Sequence, residues 1–411
     1  MADPNDGFPR FRDGDVHIII NGSRQYFLHS QSLRSHSEKM RELLRDDYGP
    51  PLTNKAIKKG VTIRYRLDLV GKQENEDDDG HMTSTGSKLA VELEAVRMNG
   101  EGRPLDKRGI DLDLENGMEV SAIHEAYTTV LGAMYGQAVD LGTFQTDTLD
   151  DMLSTALNVH AVAADLAVVH MITKPIEADL QSHGQLLQRS IGDKPGPWLL
   201  FATRIRSRLI FREALIHAVG QYHTDNIQEL VNPHGDTFSQ PVLDLMKNKY
   251  TMLQDGLKKA QMKMLSYYPQ ILHRHMTVGL ADRDNIGRGS YSNDIFAWMA
   301  LNAFRHFIAQ NTTMDCTHHD KDQGFEFFEL IAAGGQAYMR KPDLGTFYGI
   351  FPLTGKGQVV LENHLEQIKE HCRAFAQDFM VNNSHLDVKA HPTKFFTCAK
   401  LDHEDFEVLD V

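Results

Sequence analysis

The spacing of apolar residues changes once along this chain, and that change narrows its fold more than any other feature. Before about residue 100 the period is two. Val61, Ile63, Tyr65, Leu67 and Leu69 alternate with polar residues, and Leu89, Val91, Leu93 and Ala95 repeat the pattern. Asp15 to Ile20 is a β-branched run, and Asn21-Gly22 separates it from Tyr26-Phe27-Leu28. Asn-Gly tolerates positive φ at both turn positions, so this stretch predicts a hairpin. Two short helices are expected next, at Ser30 to Ser35 and Ser37 to Leu44, with Ser37 capping the second.

From Val120 the period becomes helical. Ile123, Tyr127, Val130, Leu131 and Met134 share one face, which ends near Gly136. Leu149, Met152, Ala156, Val159, Ala163 and Leu166 form a second stripe, to be capped by Thr146 or Asp147 and ended or interrupted at Pro175. Trp198 to Val219 is apolar on more than one side, which predicts a buried helix. Further helical stripes run from Leu243 to Met264, through the aromatic-rich Phe296 to Phe307, and from Leu361 to Phe379. The first of these is long enough for a short coiled coil, although packing within its own domain is the expected fate. Short extended pieces are expected at Thr346 to Phe351 and Phe395 to Ala399. No internal repeat is evident.

Lys and Arg number 43 against 56 Asp and Glu, a net charge of -13, which argues against a nucleic-acid partner. The basic run from Lys55 to Arg66 is expected to be a solvated loop leading into a strand. Gln73 to Ser87, with Glu76-Asp77-Asp78-Asp79, is too polar to pack and is expected to form a mobile hairpin tip. Cys316, Cys372 and Cys398 are too few and too scattered for a disulfide framework, which fits a reducing compartment. With no signal-peptide core and no apolar span of membrane length, a cytoplasmic or nuclear location is expected, with no membrane partner.

Motifs for chemistry fall short. Cys316, His318, His319 and Asp320, with His306 upstream, combine thiolate, imidazole and carboxylate donors of the kind zinc takes, but without paired ligand spacing. They make an enzyme or metal-binding protein with a site in the C-terminal helices the alternative function. Gly349 to Lys356 has one residue too many for a phosphate loop, and Gly357 stands where Ser or Thr is needed; a turn between two short strands is expected. Gly287-Arg288-Gly289-Ser290 lacks the closing glycine of a nucleophile elbow, and Ser290 or Ser292 is expected to cap a helix. His403-Glu404 has no second zincin histidine. No catalytic residue and no cofactor are assigned, and a non-enzymatic protein is expected.

The string from Asp13-Gly14-Asp15-Val16 through Tyr26-Phe27-Leu28-His29 to Leu33 and Ser37 resembles the opening of a BTB/POZ domain. Met134-Tyr135-Gly136 with Val139-Asp140-Leu141, and the helix from Leu149 to Ala167, resemble its later elements. Trp198-Leu199-Leu200 through Phe211 to Gly220 resembles helical tails that follow such domains in fungal members. The resemblance implies an α+β BTB/POZ-like domain over residues 12–172, with an inserted β-hairpin at about 50–115 and its acidic tip at 73–87. A mostly α-helical C-terminal region would follow over 176–411. It also implies a structural His29, an adaptor-like protein-binding function, self-association through the N-terminal domain and a possible cullin-type ubiquitin-ligase scaffold as partner. Val16, Ile18, Ile20, Leu33, Met40, Leu43 and Leu44 are the candidates for the interaction face, part of them being needed for the domain's own core.

Overall fold

The computed structural model describes residues 7–22, 24–71, 91–105, 117–231, 238–272, 288–314 and 322–409. It divides into two compact units, 1–211 and 212–411. The acidic tip expected at 73–87 lies outside the described residues.

Among the described residues the first unit holds a four-stranded mixed sheet in the order β2-β1-β3-β4. Strands β1 (Val16–Ile19) and β2 (Gln25–Leu28) form the Asn-Gly hairpin, with Ile18 opposite Tyr26. Strand β3 (Tyr65–Gly71) runs parallel to β1, with Ile18 opposite Leu67. A parallel pair needs a crossover. Helices α1 (Ser30–His36), α2 (Glu38–Leu43) and the short α3 (Asn54–Lys58) lie along it. Strand β4 (Val91–Val96) returns antiparallel on β3, with Leu69 opposite Leu93. Val16, Ile18, Ile19 and Ile20 are all buried, so β1 is covered on both faces, as a continuous apolar run requires. On β3 the period of two holds for Tyr65, Leu67 and Leu69. Asp68 is also buried, and Arg66 donates to both its carboxylate oxygens at 2.8 and 2.9 Å.

Ser37 caps α2 by accepting from the Met40 amide at 3.0 Å. Helices α4 (Gly117–Ala133) and α5 (Leu149–Asp165) carry the expected stripes, but the cap of α5 differs. A 3-10 turn at Thr146–Thr148 precedes it, and Gln145 closes a reciprocal capping box with Thr148. Pro175 does not end that helix. The chain leaves α5 at Ala167, a non-glycine residue at φ 56°, and Pro175 sits inside the next helix, α6 (Val169–Ser182). Helices α7 (Gln185–Asp193) and α8 (Pro195–Ile205) complete the packing around α5. The buried Trp198 indole donates to Ser190 Oγ at 2.9 Å, and Ser190 donates onward to the Leu149 carbonyl. That chain of bonds satisfies an indole N–H deep in the core. Trp198 to Val219 is two helices rather than one. Arg206 adopts φ 52°, and Ser207 accepts from the Ile210 amide to open α9 (Arg208–Gly220).

The second unit is helical. Helix α10 (Asp225–Val231) precedes the long α11 (Gln240–Ser266), which buries Val242, Met246, Leu253, Leu257, Ala260 and Met264 within the unit. Its stripe is used for intramolecular packing. Among the described residues four more helices follow: α12 (Arg288–Ala309), α13 (Phe325–Ala333), α14 (Gly345–Ile350) and α15 (Gly355–Gln377).

In the C-terminal segment the stretch from Phe395 to Ala399, expected as a short extended piece, belongs to no strand. Its place is fixed by side chains. Phe396 is buried among Phe325, Phe328 and Phe379, with ring centroids 5.3 to 6.4 Å apart. Gly220 lies directly beneath it, where a Cβ would come within 2.2 Å of the Phe396 carbonyl oxygen. The buried Glu213 accepts from the His385 amide and from its Nδ1, both at 2.7 Å, and Arg212 Nη2 donates to the Asn383 carbonyl. Lys249 on α11 pairs with Asp405 at 2.5 Å.

Candidate protein-interaction surface

Helices α12, α13 and α15 pack around a shared core. Helix α12 contributes Ala297, Ala300, Leu301, Phe304 and Ile308, and α15 contributes Leu361, Leu365, Ile368, Cys372 and Ala376. Close approach is set at Gly357, where an added Cβ would lie 2.9 Å from the Phe296 ring. Thr354 caps α15 by accepting from the Gly357 amide. This helix start replaces the turn between strands expected at Gly349 to Lys356. Thr346 to Phe351 forms most of helix α14, not a strand. Ser290 falls inside α12, which begins at Arg288, so neither it nor Ser292 is a cap.

The loop between α13 and α14 is organised by one buried cation. Lys369 on α15 is 2 % exposed, and its Nζ donates to the carbonyls of Gly335 at 2.8 Å and Met339 at 3.3 Å. It also lies over the Tyr338 ring, 5.1 Å from the centroid, with Glu366 3.7 Å away. Burial pushes the Lys369 ammonium below its ordinary pKa, while Glu366 and Asp343 act to hold its charge. The cation anchors a strained turn: Gly334, Gly335 and Met339 all have φ between 46° and 64°. For Met339 that conformation is costly and has to be held by its surroundings.

Around this core the unit presents large apolar side chains to solvent. Trp298 on α12 is 44 % exposed, and Tyr268 meets it edge-on at 5.6 Å. Ile295 is exposed one turn earlier on the same helix. On α14 and just beyond it, Ile350 is 68 % exposed and Phe351 50 %, with Phe347 packed 5.1 Å from Phe351. Tyr348 ties α14 to α15 by donating to Glu362 Oε1 at 3.0 Å. Val359 on α15 is exposed as well. Single exposed apolar residues are ordinary, but rigid aromatic anchors at this level of exposure are what protein partners bury.

The residues singled out from sequence fare differently. Val16, Ile18, Ile20, Leu33, Met40 and Leu44 have no exposed surface at all, because they form the first unit's own core; of the seven only Leu43 is part-exposed. Those six therefore present no face to a partner. His29 holds local structure: its Nε2 lies 2.9 Å from Asp13 Oδ1, its amide donates to the Tyr135 hydroxyl, and its ring packs on Phe11. Cys316, His318, His319 and Asp320 lie outside the described residues. Among the described residues no group of His, Cys, Asp and Glu is placed to hold a metal ion, and no helix is long and apolar enough to cross a membrane. Cys372 is buried in the core of its helix, where desolvation pushes its thiol up to about 12. Lys55, Lys58 and Lys59 point to solvent on and after α3.

The fungal-type FF domain family model matches residues 269–378, the segment that carries α12 to α15 and both exposed apolar clusters. FF domains are protein-interaction modules. No curated protein and no solved structure matches the chain. No BTB/POZ match accompanies the FF match, which overturns the BTB/POZ resemblance of the N-terminal residues. The motifs that suggested it meet local demands of folding. Asp15 accepts from the Ser30 amide at the start of α1, His29 links Asp13 to Tyr135, and Ser37 caps α2.

Proposed function

We propose that this chain binds other proteins through the exposed aromatic and aliphatic residues of its second unit, on the segment similar to an FF domain. The observation that carries this is the coincidence of the FF match with Trp298, Ile350, Phe351 and Val359, all at least 44 % exposed on a well-packed core. Binding rather than catalysis is the activity inferred. The few, scattered cysteines fit binding in a reducing compartment. Self-association and a cullin-type scaffold gain no support from the comparisons.

A peptide-display library selected on the intact chain tests the assignment. Selected peptides are expected to bind the wild type and to lose at least about tenfold in affinity on Ile350→Asp or on Trp298→Ala, equal to about 1.4 kcal/mol. Peptides that bind both variants as well as they bind the wild type would place recognition elsewhere.

A further inference from the structure

In the first unit, a contact between the β1–β2 hairpin and α4 depends on the protonation state of a buried ring. Asn21, in the hairpin turn, accepts from the Arg24 amide through Oδ1 at 2.7 Å. That fixes which way its amide group faces, and Nδ2 donates across to Nδ1 of His124 on α4 at 3.0 Å. His124 is only 6 % exposed, and its Nε2 has no hydrogen-bond partner among the described residues. With Nδ1 accepting, the neutral ring carries its proton on Nε2. A second proton would place an N–H on Nδ1, donor against donor with the Asn21 amide, and would bury a charge with neither ring N–H bonded. Asn21 cannot relieve this by turning its carbonyl toward the ring, because Nδ2 would then face the Arg24 N–H.

The charged groups around the ring do not favour that proton. Desolvation, and after it the Arg24 charge reaching in from the hairpin, hold the His124 pKa below its ordinary 6.5. Glu125, the next residue of α4, is engaged by the Arg24 guanidinium at 3.1 Å. Tyr26 on β2 donates to Thr128 Oγ1 at 2.5 Å, and Thr128 donates to the His124 carbonyl, bonds that do not involve the ring. His17 on β1 also titrates, but its Nε2 donates to Gln25 Oε1 at 3.1 Å, a bond that protonation keeps; Gln25 Nε2 is given to the Gly22 carbonyl. We infer that the Asn21–His124 contact is an acid-released latch, which holds the hairpin turn on α4 while the ring is neutral and lets it go when the ring takes a proton. The Tyr26–Thr128 bond is the end that stays fixed. Once the turn has opened, the solvated ring binds a proton near pH 6.5, whereas the closed ring binds it only at lower pH. The latch is therefore at full strength above pH 6.5 and weakens as the pH falls below it.

The test is amide hydrogen exchange of the full chain at about pH 7.5 and about pH 5, each rate divided by that of an unstructured chain at the same pH. Protection over residues 20–26 is expected to fall at least about threefold at the lower pH, measured relative to α5. His124→Asn, whose side-chain oxygen stands near the place of Nδ1 and does not titrate, should abolish that fall. Asn21→Asp keeps one oxygen for the Arg24 amide and turns the other toward His124, so acid should now raise protection instead. That reversal of sign is something a merely damaged fold would not produce. Wild-type protection that is equal at both pH values would overturn the latch. So would a fall in His124→Asn as large as in the wild type, or an Asn21→Asp chain that still loses protection in acid.

Discussion

His217 shows how a single residue in this chain couples stability to pH. It is fully buried on α9, neither ring nitrogen has a hydrogen-bond partner among the described residues, and the Phe395 ring meets it edge-on at 5.6 Å. Desolvation lowers its pKa to about 4, so the folded chain holds it neutral. The unfolded chain binds a proton near pH 6.5, so it carries more protons than the folded chain between pH 6.5 and 4. Stability is therefore full above pH 6.5 and falls as the pH drops toward 4, by about 3 kcal/mol at most from this group. Urea denaturation at about pH 7, 5.5 and 4.5 checks it: the wild type should lose stability across that range, and His217→Phe should flatten the part of the slope that histidine supplies. An unchanged slope in the variant would assign the pH dependence to other groups.

Among the elements, the α13–α14 loop depends on one side chain of α15. Replacing Lys369 with Met keeps most of its volume but leaves the Gly335 and Met339 carbonyls without their donor. A loss of about 1–3 kcal/mol is expected in thermal or urea unfolding, with the far-ultraviolet helix signal retained. The elements also mark how far the sequence could be read. The Asn21-Gly22 hairpin, the Ser37 cap and the stripe of α5 were legible because each rests on residues a few positions apart. Helix α14 was not: Phe347, Tyr348, Ile350 and Phe351 have strand propensity, and the helix is held by tertiary contacts such as Tyr348 to Glu362. The breaks at Ala167 and Arg206 were also hidden, since left-handed backbone at a non-glycine residue leaves no mark in the sequence. Lys369 was missed as an organiser because it sits on an apolar stripe whose burial depends on distant partners.

On the scale of the molecule, a mixed sheet with helices and a helical unit follow one another, as the change of apolar period implied. The functional inference moved from the first to the second. Strand β1 and helices α1 and α2 carry apolar residues that suit an interface and a core equally well, and the structure spends them on the core. Trp298 lies inside an aromatic-rich helical stripe that looks like core in the sequence, and Ile350 and Phe351 lie in what looks like a short extended piece; only the fold separates the side chains left outside. The most direct test places a photoreactive phenylalanine analogue at Ile350, with the exposed Lys58 of the first unit as control position, in cells expressing the full chain. Cross-links to other proteins are expected from position 350 and not from position 58. No cross-links at 350, or the same set from both positions, would contradict a binding surface on the second unit.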